Sequence, residues 1–219
     1  MNFSSKPKSF VIRNGRVTNS QKAILKDLEQ KHVIDKDLLE SDFFRSPLVL
    51  DIGFGSGETL VHMAEKNRGI NFLGVEVYLT GIAKTLKKIE SNNLKNVKIF
   101  KGDIEDLFLE LSEEIKIEAI LLFFPDPWPK RRHHKRRLIK PRFLESISRH
   151  LLPFGQIYCR TDWKNYASHI LDTFSDEKGW EKLGIESLED YFLDLPVTSF
   201  EKKAQIEERE FINLIYRKL

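Results

Sequence analysis

The stretch Leu48-Val-Leu-Asp-Ile-Gly-Phe-Gly-Ser-Gly57 joins a short apolar run to a glycine-rich turn. An uninterrupted apolar run of this length is typical of a strand buried on both faces of a parallel sheet. Gly53, Gly55 and Gly57 allow the backbone to turn sharply and to approach a ligand closely. Residues 58–66 follow with helical spacing. The sequence therefore predicts a strand, a tight turn and a helix whose inward side chains are Leu60, Val61 and Ala64.

Outward from this stretch, strand and helix patterns alternate along the chain. Strands are predicted at 71–75, 97–100, 119–124, 156–160, 180–185 and 211–216, and helices near 20–28, 79–90, 107–111, 141–152 and 163–174. This alternation predicts an α/β fold with a mostly parallel sheet and right-handed crossovers. Because no repeat or low-complexity linker interrupts it, we predict one unit, with a basic arm and helical layer at residues 1–46 and the main domain at 47–219.

Composition limits the class of protein. The chain has 219 residues, of which 41% are hydrophobic and 32% charged, as expected of a globular protein. No window approaches the ~18 apolar residues of a membrane span, and the first residues lack the apolar core of a signal peptide, so we predict no membrane contact and a cytoplasmic location. The single cysteine, Cys159, excludes a disulfide framework and a cysteine metal site.

Acidic residues follow each of the first five predicted strands. They are Asp51, Glu76, Asp103, Asp126 and Asp162. In a parallel sheet, ligands bind beyond the carboxyl ends of the strands, where the strand order reverses. Five acids in succession at these positions predict a ligand-binding site rather than scattered surface charge.

The glycine-rich turn favours S-adenosylmethionine over a dinucleotide. Its pattern is G-x-G-x-G, and Glu58 stands where a dinucleotide site has its third glycine, so Asp51 and Glu58 would repel a pyrophosphate. S-adenosylmethionine has no phosphate and carries an ammonium and a sulfonium. We therefore predict that Asp51 contacts the ammonium, Glu76 the ribose hydroxyls and Asp103 the adenine amino group, with no metal. A turn used only for packing is the alternative.

A second informative stretch follows the fourth strand: Phe124-Pro-Asp-Pro-Trp-Pro-Lys-Arg-Arg-His-His-Lys-Arg-Arg137. The prolines are predicted to hold Phe124 and Asp126 in extended conformations. Asp126 is then a candidate base contact, and Trp128 a candidate for stacking on the base. A phosphate backbone would be held by the cations that follow, which are Lys130, Arg131, Arg132, Lys135, Arg136 and Arg137. A solvated, proline-punctuated loop is the alternative.

The arm at Lys6, Lys8, Arg13 and Arg16 either touches a polyanion or is a polar leader.

Together these motifs resemble the bacterial tRNA (guanine-N7)-methyltransferases over most of the chain after the arm. The matching segments are Leu48–Gly57, Gly74–Tyr78, Phe124–Arg137, Thr161–Trp163 and Thr198–Glu201. The resemblance implies a class I S-adenosylmethionine-dependent methyltransferase fold, with a mostly parallel seven-stranded sheet and helices on both faces. It also implies methylation of a guanosine in the variable loop of tRNA. The sequence leaves open whether the chain is a monomer or a homodimer.

The resemblance also implies roles for individual residues. Cofactor contacts would fall on Asp51, Glu76, Asp103 and Asp126. Contacts to tRNA and guanine would fall on Lys130, Asp162, Thr198, Ser199, Phe200 and Glu201. The chain departs from the family at Ser199, where a basic residue is usual, and at Ala204, where a glycine is usual.

The chemistry requires little of the protein beyond positioning. Guanine N7 has a lone pair that is unprotonated near neutral pH, so a general base is not obligatory, and an in-line displacement depends mainly on orientation. Asp126 is the first candidate for the carboxylate that faces the guanine N1–H and amino group. Asp162 and Glu201 are further candidates.

Two other functions fit parts of the sequence. An amino-methyltransferase acting on adenine has an Asp-Pro-Pro-aromatic signature, but Asp126-Pro-Trp-Pro129 has the proline and the aromatic residue in the wrong order. A non-catalytic RNA-binding protein on the same scaffold would not need acids at positions 51, 76, 103 and 126.

Overall fold

The computed structural model describes residues 8–10, 17–34, 42–45, 47–189, 192 and 194–219. Seven strands form one sheet in the order β3-β2-β1-β4-β5-β7-β6. Only β7 runs antiparallel, to both of its neighbours, so the predicted mostly parallel seven-stranded sheet is confirmed. The strands are β1 (Leu48–Ile52), β2 (Asn71–Glu76), β3 (Val97–Lys101), β4 (Ile117–Phe123), β5 (Leu151–Thr161), β6 (Trp180–Leu183) and β7 (Ile212–Lys218).

Helices cover both faces of the sheet, as predicted. They are α1 (Asn19–His32), α2 (Glu58–Lys66), α3 (Leu79–Ser91), α4 (Ile104–Glu110), α5 (Pro141–His150), α6 (Lys164–Asp176) and α7 (Ser199–Ile206). Apolar side chains of α1, α2 and α3 form the core on one face, and those of α4, α5 and α6 form the core on the other. In the part of the chain that the structure describes, every helix is too short or too polar to span a membrane.

Strand β1 shows why four of its five residues are apolar. All five of its residues are buried. Leu48, Leu50 and Ile52 point into the core beneath α4–α6, whereas Val49 points into the core beneath α1–α3. Because each such side chain contributes about 1.5–3 kcal/mol when buried, a strand covered on both faces needs no polar alternation.

The strand order reverses at β1. This strand pairs with β2 on one side and with β4 on the other, so chain crossovers diverge from its carboxyl end and leave a crevice there. Asp51 lies in register with Gly74 of β2 and Leu121 of β4. The fold therefore places the turn that follows β1 directly at the position where α/β sheets bind ligands.

Helix α7 was not predicted, several element boundaries differ from the prediction by one or two residues, and three differ by more. Strand β5 begins at Leu151 rather than at residue 156, so the predicted helix at 141–152 ends two residues earlier. Phe154 adopts a left-handed backbone with φ of 64°, and the pairing of β4 with β5 shifts register nearby. Helix α4 begins at residue 104 and α1 extends to residue 32. The division into segments 1–46 and 47–219 stays a prediction, since residues 35–41 lie outside the described part of the chain.

Candidate active site

A cavity of about 420 Å³ lies at the carboxyl ends of β1, β2 and β4, a volume within the usual range of small-molecule sites. It gathers seven of the residues predicted from the sequence, namely Asp51, Gly53, Gly55, Glu76, Asp103, Asp126 and Thr198. Apolar side chains complete the wall, among them Phe54, Tyr78, Ile104 and Phe124. Acids that are 75 residues apart in the sequence thus share one cleft.

The glycine turn has a left-handed backbone, which glycine adopts at no steric cost. The φ angles of Gly53, Gly55 and Gly57 are 74°, 58° and 69°. Gly81 of α3 packs on this turn so closely that a Cβ there would stand 2.2 Å from the Gly55 carbonyl oxygen. Gly57 does not line the cavity. A Cβ at this position would collide with the side chain of Thr85, so Gly57 serves the packing of α2 against α3.

Asp51 is the most unusual group in the cavity. Its side chain is 3% exposed, and its Oδ2 has no hydrogen-bond partner among the described residues. Burial, and secondarily the Glu76 carboxylate, raise the pKa of Asp51 to about 7. A buried carboxylate without a partner is costly unless a cation or a donor arrives, so this oxygen fits the ammonium group of a ligand.

Glu76 is held in a fixed position by the backbone. One carboxylate oxygen accepts from Gly55 N at 2.9 Å, and the other from Val77 N at 2.7 Å and Tyr78 N at 3.0 Å. The carboxylate therefore joins the glycine turn to the end of β2 and presents its remaining lone pairs to the cavity. Such a group suits a pair of hydroxyls.

Asp103 combines a structural and a binding position. It is the N-cap of α4, because its Oδ1 accepts from Glu105 N at 3.1 Å. Burial is the main reason that the pKa of Asp103 is raised. Its second oxygen remains an acceptor at the cavity wall, where an amino group can bind.

The loop after β4 has a conformation that the sequence did not predict. Phe124 and Trp128 each precede a proline and have φ of 51° and 46°, so the extended conformation predicted for Phe124 is wrong. Left-handed conformations of such residues cost about 1–3 kcal/mol each. Between them lies Asp126, which is exposed and lines the cavity. None of the described residues donates a hydrogen bond to its carboxylate.

Trp128 does not fit the predicted stacking on a base. Its side chain is 9% exposed, the Arg136 guanidinium lies 4.9 Å from its ring, and its Nε1 donates to Ser9 O at 2.9 Å. The indole instead fixes residues near the N-terminus over the cavity, where Ser9 and Phe10 form part of the wall. Sequence reasoning missed these two residues because the arm has no periodicity.

The basic tract divides into exposed and buried members. Lys130, Arg131, Arg132 and Lys135 are exposed. Arg137 is only 2% exposed, which contradicts its predicted contact with a tRNA backbone. Its guanidinium donates to Pro127 O at 3.0 Å and to Asn165 Oδ1 at 2.6 Å, and so attaches the loop to α6.

Two acids predicted for the substrate are already engaged. Asp162 forms an ion pair with Arg209. Glu201 is 5% exposed and forms an ion pair with Arg160. Neither lines the cavity, nor does Lys130. The side chains of Ser199, Phe200 and Ala204, together with Lys6, Arg13 and Arg16, lie outside the described part of the structure.

Comparison with known proteins places the chain in a family. A family model described as "Putative methyltransferase" matches residues 45–214. A tRNA (guanine-N(7)-)-methyltransferase of Marinobacter nauticus is 38% identical over 90% of this chain and 86% of its own length. The chain belongs to the tRNA (guanine-N7)-methyltransferase family. Another member, from Buchnera aphidicola, is 37% identical over 95% of this chain and 90% of its own length.

Solved structures agree with this family in fold. An aminoglycoside resistance methyltransferase, NpmB1, matches with a TM-score of 0.58 at 16% identity, over 85% of this chain and 94% of its own. An rRNA methylase of Streptococcus thermophilus matches with a TM-score of 0.54 at 14% identity, over 81% and 93%. The predicted class I methyltransferase fold is thereby confirmed.

Proposed function

We propose that the chain transfers a methyl group from S-adenosylmethionine to N7 of a guanosine in the variable loop of tRNA. The observation that carries this proposal is the buried, unpartnered carboxylate oxygen of Asp51 at the end of β1. It shares a cavity with Glu76 and Asp126, beside an exposed basic tract. A cavity lined by acids selects a cationic ligand, and the neighbouring arginines select a polyanion.

The residues of the cavity fit the cofactor group by group. Asp51 would bind the ammonium, the fixed carboxylate of Glu76 the ribose hydroxyls, and Asp103 the adenine amino group. The amino end of α2 also borders the cavity through Glu58 and Thr59, so its positive dipole can face a carboxylate. When bound, S-adenosylmethionine supplies an electrophilic methyl group on a sulfonium.

Asp126 is the residue proposed to orient the guanine. With two acceptor oxygens open to the cavity, it can bind the N1–H and the exocyclic amino group together, which turns N7 toward the cofactor side of the cavity. Positive charge develops in the purine during methylation, and a carboxylate aimed at the ring stabilises it. Because Asp162 and Glu201 are engaged by arginines, Asp126 is the acid best placed for this role.

Methyl transfer to tRNA is the direct test. The full chain is incubated with methyl-labelled S-adenosylmethionine and unmodified tRNA, and the tRNA is digested to nucleosides. We expect label in 7-methylguanosine. Label in N6-methyladenosine would indicate the amino-methyltransferase, and binding of tRNA without any transfer would indicate the non-catalytic RNA-binding protein.

Glu76→Ala is expected to raise the dissociation constant for S-adenosylmethionine about 10- to 100-fold, since hydrogen bonds to a charged group contribute about 1.5–3 kcal/mol. Titration calorimetry measures the change. The control is Glu65→Ala on the exposed side of α2, which should leave the constant unaltered. Equal affinity of the Glu76 variant and the wild type would remove Glu76 from the ribose site.

Replacing Arg131 and Arg132 together by alanine is expected to weaken tRNA binding and to reduce its salt dependence. Loss of two phosphate contacts should reduce the magnitude of the slope of log K against log salt concentration by about 1.4–1.8. The matched control replaces Lys84 and Lys87, two exposed lysines of α3. A slope that the arginine variant shares with the wild type would show that the tract does not hold the backbone.

A further inference from the structure

Arg160 is a largely covered arginine of β5 that no motif of the sequence identified. Its side chain is 13% exposed, and all three of its nitrogens are engaged. Nη1 pairs with Glu201, Nε donates to Asn213 Oδ1 at 2.8 Å, and Nη2 donates to the Tyr158 hydroxyl at 2.5 Å. One guanidinium thus connects β5, β7 and the first turn of α7.

Glu201, the ion-pair partner of Arg160, connects Arg160 to the cavity. One oxygen of Glu201 binds Arg160, and the other accepts from Thr198 N at 2.6 Å. In return, Glu201 N donates to the Thr198 hydroxyl at 3.2 Å, which completes a capping box at the start of α7. Thr198 itself lines the cavity. Its position therefore depends on a carboxylate that Arg160 holds.

Arg160 also contacts a second part of the cavity wall. Its guanidinium lies 4.9 Å from the centre of the Phe123 ring, and its carbonyl oxygen accepts from Phe124 N at 2.7 Å. Phe123 and Phe124 line the cavity immediately before Asp126. A single residue consequently fixes the distance between the loop that carries Asp126 and the segment that carries Thr198.

Stability alone does not explain this arrangement. Desolvation of two charges largely offsets their attraction, so a buried ion pair often stabilises a protein no more than apolar residues of the same volume would. What the pair supplies is a defined geometry, because a planar guanidinium fixes the direction of each hydrogen bond.

We infer that Arg160 is a positioning residue for the tRNA substrate, acting through Glu201 on Thr198. This inference rests on the proposed function and deepens it: the guanosine binds between Asp126 and the Thr198 segment, whose spacing Arg160 sets. The resemblance implied Glu201 as a direct substrate contact. Here Glu201 is buried and acts indirectly, by holding Thr198. The cofactor side, at Asp51 and Glu76, does not depend on the pair.

Steady-state kinetics of Arg160→Gln, Glu201→Gln and the double variant test this inference. Each single change is expected to lower kcat/KM for tRNA 10- to 100-fold, while the dissociation constant of S-adenosylmethionine changes less than twofold. The double variant should be no worse than either single variant, since both act through one path. Arg160→Lys keeps the positive charge but lacks the planar guanidinium with its several donors. This variant should retain part of the kcat/KM that Arg160→Gln loses.

The control is Arg217→Gln. Arg217 pairs with Glu181 at 2.6 Å between β6 and β7, away from the cavity, and its loss should leave kcat/KM within twofold. Losses that multiply in the double variant, an equal loss of cofactor affinity, or unchanged kinetics in a folded Arg160 variant would overturn the inference. The proposed function fails separately, if the wild-type chain forms no 7-methylguanosine.

Discussion

Asp126→Ala is expected to abolish methyl transfer, and Asp126→Asn to lower kcat by about 10²- to 10³-fold, the usual effect of removing one preorganised electrostatic group. Alanine removes both acceptors for the guanine, whereas asparagine keeps one acceptor and places an amide donor opposite the N1–H. Because Asp126 lies at the exposed edge of the cavity, neither change should disturb the fold.

Two measurements separate orientation of the base from binding of the cofactor. Single-turnover methyl transfer with saturating tRNA gives the chemical step, and calorimetry gives cofactor affinity, which we expect to be retained at least in part and to fall far less than the rate. Asp176→Ala, at the exposed end of α6, serves as the control. Full turnover by the alanine variant would refute the role of Asp126.

The location of the site could be predicted from the sequence because topology alone determines it. Asp51 and Glu76 lie at the carboxyl ends of β1 and β2, and Asp103 and Asp126 follow β3 and β4. Parallel strands end at the same edge of the sheet. The pattern of apolar strands and amphipathic helices was enough to identify that edge. No side-chain contact had to be known.

Pairings between distant residues could not be predicted in this way. Arg137 belongs to the same basic tract as Arg131, yet its side chain turns inward, where Pro127 O and Asn165 Oδ1 accept its hydrogen bonds. The indole of Trp128 meets Ser9, 119 residues away in the chain. Such contacts depend on how loops pack over the sheet, and neither periodicity nor charge encodes them locally.

The conformation of the loop after β4 was mispredicted for a related reason. The rule for residues before proline excludes the right-handed helical region and favours extended backbone. Phe124 satisfies the exclusion and takes the rarer left-handed alternative, held there by its hydrogen bond to Arg160 O and by an edge contact with Phe211 at 5.6 Å. Tertiary contacts have overridden a local preference, and the strained segment is the one that carries Asp126.

Asp51→Asn is expected to weaken S-adenosylmethionine binding about 100-fold or more, because the cofactor ammonium would lose its buried counter-charge. In the wild type, the Asp51 pKa of about 7 means that the carboxyl must lose a proton before it pairs with the ammonium. The ionised fraction of Asp51 should therefore rise nearly tenfold between pH 6 and pH 7.5, and the affinity for S-adenosylmethionine should rise with it. Calorimetry in buffers of different ionisation enthalpy would detect the released proton. The asparagine variant should show neither effect.

The same substitution should stabilise the free protein. The folded-state pKa of Asp51 lies above its ordinary value of 3.8, so the ionised carboxylate destabilises the fold increasingly as pH rises from about 4 to 7, and fully above that. Removing the charge should raise the free energy of unfolding at pH 8 by on the order of 2 kcal/mol, after allowance for an imperfectly bonded amide. This gain should be lost as the pH falls from about 7 to 4, because the wild-type carboxyl is then protonated and only the cost of the amide remains.

Adding cofactor should reverse the order of stability. At a concentration 100 times its dissociation constant, a ligand stabilises the wild type by about 2.7 kcal/mol, and the asparagine variant gains little because it binds weakly. Thermal unfolding with and without S-adenosylmethionine, with Asp172→Asn on the exposed face of α6 as control, measures both effects. A variant that is less stable than the wild type when free, and equally stabilised by cofactor, would show that Asp51 is not the cation site.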